Sequence, residues 1–113
     1  MLEAAAVALA FKATLIAPTH RPRVNRPWPI TIHAADPRGH PIRARLTMRF
    51  LFGGVAVGKV DNGRVYTFFG TWRERKGEEI KFPVAARGQR LTFQAVVTAR
   101  RHTTKLNYWV IPR

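Results

Sequence analysis

Apolar residues recur at every second position along almost the whole chain, the spacing of β-strands that bury one face and wet the other. Phe11, Ala13 and Leu15 alternate with Lys12, Thr14 and Ile16 until Pro18 stops the run. The stretch from Thr19 to Pro29 holds Pro22, Pro27 and Pro29, which suits an irregular, edge-like path that needs few backbone donors. A second strand places Trp28, Ile30, Ile32 and Ala34 on one face, and Asp36-Pro37-Arg38-Gly39 closes it with the residue order of a type I turn.

The clearest pattern lies in the third strand. Ala44, Leu46, Met48, Phe50 and Phe52 point one way, while Arg43, Arg45, Thr47 and Arg49 point the other. Gly53-Gly54 permits a tight reversal into Val55, Val57 and Lys59. Asn62-Gly63 then predicts a type I′ hairpin, both of whose central residues need positive φ, with a partner strand running from Arg64 to Trp72. Arg73 to Glu79 reads as a charged loop, and Ile80 and Phe82 as a short strand ended by Pro83. Leu91 to Ala99 alternates again, Arg101 to Thr104 is expected to turn the chain, and Lys105 to Ile111 forms the last strand. Only the N-terminal alanine run leaves helix open.

About seven short strands in 113 residues predict an all-β, antiparallel β-sandwich, with a small barrel as the alternative. The length suits one domain, residues 11–113. Residues 1–10 are expected to be an apolar arm. Ala8-Leu9-Ala10 resembles the end of an export signal, but Glu3 stands where a basic residue is usual, so a plain strand or short helix remains open. No stretch is long enough for a membrane span.

Charge changes the picture most. Twenty Lys and Arg against six Asp and Glu give a formal +14, and fifteen of the cations are arginine. Such a field attracts an acidic protein surface, an anionic polymer, anionic lipid or nucleic acid. Candidate chemistry is sparse by comparison. Without Ser or Cys the chain lacks the commonest nucleophiles and any disulfide, and His20, His33, His40 and His102 show no metal-ligand spacing. Asp36 and Asp61 fall in turns, while Glu74, Glu78 and Glu79 share one loop, so the acids read as structural. No enzyme activity and no cofactor are expected.

The Trp28 strand, the Asp36-Pro37-Arg38-Gly39 turn and the late strand pair resemble bacterial immunoglobulin-like and fibronectin-type-III-like domains. In that resemblance Trp28–Ala35 corresponds to strand B, Arg43–Phe52 to C, Leu91–Arg100 to F and Lys105–Ile111 to G. The antibody-type cysteine pair is missing, and the tryptophan lies on the second strand where antibody domains carry it on the third. The resemblance implies that C, F and G share a sheet, which would gather Arg43, Arg45, Arg49, Arg100 and Lys105 on its outer face. By its parity Trp109 would join them as an aromatic among cations. The plain alternative is that the arginines only solvate the sheet and Trp109 packs under a loop.

The resemblance further implies a module for cohesion, spacing or recognition, displayed outside the cell or on a virion or filament assembly, with self-assembly as one mode of docking. Nucleic-acid binding through the same face is the second reading. It is weakened because most aromatics fall on the apolar parity, away from the arginines.

Overall fold

The computed structural model describes residues 10–113; the N-terminal arm and the export-signal reading of it lie outside the described residues, Ala10 excepted. The described chain is all-β, an antiparallel β-sandwich with one single-turn 3-10 segment at Val84–Ala86, an irregular turn at Val60–Gly63 and no longer helix. Its smaller sheet has the order β1 (Lys12–Ile16), β3 (Thr31–Ala35), β7 (Thr71–Arg73). The larger sheet runs β10 (His102–Val110), β9 (Leu91–Ala99), β4 (Arg43–Phe52), and β5 (Val55–Lys59) and β6 (Tyr66–Phe69) share the far edge of β4. A short pair, β2 (Pro27–Trp28) with β8 (Ile80–Lys81), completes the set.

Alternation explains the core. Ile32 and Ala34 of the smaller sheet meet Leu46, Met48, Phe93, Ala95 and Val97 of the larger one in a single buried cluster. Trp28, 1 % exposed, sits against Phe82 and Phe93 in edge-on contacts, and its indole N–H donates to the Thr19 carbonyl at 2.9 Å. That bond meets the one polar need of a buried indole. Pro29 breaks the expected second strand into β2 and β3, which belong to different pairings, although Trp28, Ile30, Ile32 and Ala34 all point inward as the alternation requires.

The chain changes sheet at Gly70. Its N–H donates to the Ile42 carbonyl, and its own carbonyl accepts from Ala34 N–H. With φ at +74°, and with a Cβ placed there only 2.7 Å from Pro41 Cβ, the position requires glycine. The expected Arg64–Trp72 strand is therefore two strands in two sheets.

Two turn expectations also change. Asn62-Gly63 makes no hairpin, because β5 and β6 do not pair with each other; they follow one another along β4, Lys59 opposite Arg49 and Tyr66 opposite Leu46. Val60 still packs into the core, and residues 61–65 bulge out between the two strands, with Asp61, Asn62 and Gly63 all at positive φ. The final reversal falls at Arg100 and Arg101 (φ +50° and +65°), with His102 paired to Ala99, so residues expected to turn already belong to β10. Phe52 departs from the core face expected of it. It is 50 % exposed, since β4 outruns the five-residue strands of the smaller sheet and its end, with β5, projects beyond the core.

Candidate functional site: a basic sheet face

Pairing register decides which cations meet. Arg45 lies opposite Thr98 on β9 and Thr67 on β6, and Arg49 lies opposite Gln94 on β9 and Lys59 on β5. Lys105 of β10 faces Val96, which in turn faces Thr47. Arg43, Arg45, Arg49, Lys59 and Lys105 therefore share the outer side of one continuous sheet. Arg100 sits in the turn at the end of that face, beside Arg43 and Arg45, and its guanidinium reaches toward the Ala10 carbonyl at 3.5 Å.

One polar ladder stiffens the middle of the face. Gln94, 5 % exposed, accepts Arg49 Nε–H at 2.7 Å and donates its amide to Asn107 Oδ1 at 2.9 Å. Since a guanidinium only donates, the Gln94 oxygen must face Arg49 and its nitrogen must face Asn107. Arg49 is thereby held in one direction across three strands. Two shallow hollows flank it. One of about 430 Å³ lies among Thr47, Arg49, Lys59 and Lys105, and another of about 360 Å³ among Arg43, Arg45, Arg100 and Arg101. Among the described residues no Arg or Lys lies within 4.0 Å of a carboxylate, the sole close acid–base contact being His40 with Asp36.

Trp109 has the outward parity expected of it, opposite Thr92, but it is half-buried. His20 stacks on it with ring centroids 3.9 Å apart, and stacks equally on Tyr108 at 3.9 Å. His20 Nδ1 lies 2.6 Å from the Trp109 carbonyl oxygen, and the Arg90 guanidinium sits 4.8 Å from the Trp109 ring centre. Trp109 is thus a packed column element at the end of the face. His20 and Arg90, the partners that pack it, are not among the expected site residues; only the irregular proline-rich path around His20 hints that this segment must dock somewhere.

A second feature gathers acids and arginines together and escapes sequence reasoning, because the residues that build it come from two separate stretches of chain, 61–67 and 72–78. Asp61, Glu74 and Glu78 line a pocket of about 330 Å³ with Tyr66, Trp72, Arg64, Arg73 and Arg75. The Tyr66 hydroxyl donates to Asp61 Oδ2 at 2.6 Å, and burial together with that bond raises its pKa. Both carboxylate oxygens of Glu74 are buried without a well-formed hydrogen bond. Desolvation first, then the Asp61 charge, push its pKa from 4.5 up to about 7, and the Ile80 and Ile30 N–H groups offset this only in part. Asp36, by contrast, behaves as a turn residue should. Its carboxylate accepts from the His40 and Arg38 N–H groups, with the His40 bond foremost in lowering its pKa.

The chain matches no family model, no curated protein and no solved structure. Among the described residues no group of three or more His, Asp or Glu could hold a metal ion, and no helix is long and apolar enough to cross a membrane.

Proposed function

We propose that this domain is a binding module that docks its basic sheet face onto an acidic protein surface, as one element of a cell-surface, virion or filament assembly. The observation that carries the reading is the row of cations: Arg43, Arg45, Arg49, Lys59 and Lys105 share one face, and among the described residues no carboxylate lies within 4.0 Å of any of them. Arginine is suited to such a face because its planar fork pairs two-fold with carboxylates and sheds water more readily than an ammonium group. The strand order supports the immunoglobulin-like and fibronectin-type-III-like reading. In that reading β1, β3 and β7 would correspond to A, B and E, and β4, β9 and β10 to C, F and G.

A nucleic-acid ligand is less well supported, because single-strand binding draws on free aromatic faces and Trp109 is already stacked on His20. The test is surface plasmon resonance over immobilised poly-glutamate, heparin and single-stranded DNA at 150 mM salt, with the triple substitution Arg43→Gln, Arg45→Gln, Lys105→Gln as the comparison. Binding to poly-glutamate that the substitution weakens at least ten-fold supports the proposal. Equal binding by the substituted chain, or retention on DNA alone, refutes it.

A further inference from the structure

At the pole of the sandwich opposite the Arg100-Arg101 turn, a second basic cluster is built by different means. The segment 20–24 runs beside residues 111–113: Ile111 N–H donates to the His20 carbonyl at 2.8 Å, Arg113 N–H to the Pro22 carbonyl at 2.9 Å, and Val24 N–H to the Arg113 carbonyl at 2.9 Å. Arg26 N–H closes a turn on the Arg23 carbonyl at 3.4 Å, with Asn25 at φ +59° and its N–H bound to the Phe82 carbonyl. From the other side Gly88 N–H donates to the Pro112 carbonyl at 2.8 Å, which fixes the neighbouring Arg87. Three separate segments are locked together by main-chain bonds, and each turns arginines toward one cleft.

We infer that this cleft, about 280 Å³ and lined by Arg23, Val24, Arg26, Arg87 and Arg113, is a binding site for a tetrahedral oxyanion of the phosphate or sulfate class. Among the described residues no Asp or Glu side chain lines it, and none of its guanidiniums lies within 4.0 Å of one. Like charges gathered on a rigid backbone repel each other unless an anion sits between them. Arg113 is partly positioned already, its Nε–H donating to the Arg21 carbonyl at 3.3 Å. Four forks offer more donors than the two oxygens of a single carboxylate can accept, whereas a tetrahedral anion presents three or four oxygens and matches the guanidinium fork two-fold. The site thus differs in ligand from the sheet face, and it stands whether or not that face binds acidic protein.

The experiment follows the arginine Nε–Hε signals by nuclear magnetic resonance while inorganic phosphate, or separately sulfate, replaces chloride at constant ionic strength and pH 7. The expected result is saturable shifts confined to Arg23, Arg26, Arg87 and Arg113 with millimolar or tighter affinity. Arg23→Gln with Arg87→Gln is expected to weaken it at least ten-fold, and Arg45→Gln to leave it unchanged. Saturation by phosphate alone identifies a phosphate-bearing ligand, and saturation by sulfate equally well or better identifies a sulfated one. Shifts that fail to saturate with either anion, or that spread evenly over all arginines, overturn the inference, and the unsubstituted chain alone suffices to observe them.

Discussion

Replacing Glu74 by Gln should make the domain more stable above neutral pH and leave it nearly unchanged in acid. The folded state holds the Glu74 carboxyl at a pKa of about 7, against 4.5 as its ordinary value. The unfolded chain therefore releases this proton first. Between pH 4.5 and about 7 the native state binds more protons than the unfolded state, so stability falls as pH rises and stays reduced above pH 7. At 1.36 kcal/mol per pH unit the gap corresponds to about 3 kcal/mol. The pocket opens to solvent, and screening reduces this to about 1–2 kcal/mol. Glutamine keeps the shape and removes the charge. Urea denaturation of both chains at pH 4.5 and pH 8.5 is the assay. The expected result is coincidence at the lower pH, with the variant more stable by about 1–2 kcal/mol at the higher, or roughly 3–6 °C in Tm for each kcal/mol. A constant difference at both pH values, or a variant less stable at pH 8.5, would show that the carboxylate is not held in a desolvated site.

Two further variants probe the backbone. Arg100 and Arg101 occupy a two-residue reversal at positive φ that favours Asn-Gly, so Arg100→Asn with Arg101→Gly should raise stability by about 1–2 kcal/mol in thermal melts. A loss of stability would mean that the arginine side chains contribute more there than the turn geometry costs. Gly70→Ala combines an unfavourable φ with a Cβ 2.7 Å from Pro41 and should destabilise by roughly 2–4 kcal/mol in urea titrations. A neutral result would refute the close approach at the crossover between sheets.

Much of this architecture was legible because β-structure writes itself locally. Trp28, Ile30, Ile32 and Ala34, or Leu46 and Met48 against Arg45 and Arg49, declare their faces by parity alone, and Asp36-Pro37-Arg38-Gly39 turns where its side chains say it must. The turn chemistry misled where a local signal competed with non-local pairing. Asn62-Gly63 has the residues of a hairpin, yet β4 is long enough to accept β5 and β6 in succession, and their bonds to it outweigh the bonds a hairpin would form between them. Arg100-Arg101 lacks any hairpin residue, but the register that seals Phe93, Ala95 and Val97 into the core places the reversal there.

The basic face divides along the same line. Alternation by itself determined that Arg43, Arg45 and Arg49 lie together on the wet side of one strand, since a period of two leaves them no other place. Only the tertiary structure decided which strands lie beside them, that Gln94 anchors Arg49, that Arg100 sits in a turn, and that His20 packs Trp109. It also brought Asp61 to Glu74 and arginines from three distant segments to one cleft. Parity is a property of consecutive residues and travels with the chain; proximity across strands depends on register and sheet order, which are fixed by burying all the apolar faces at once.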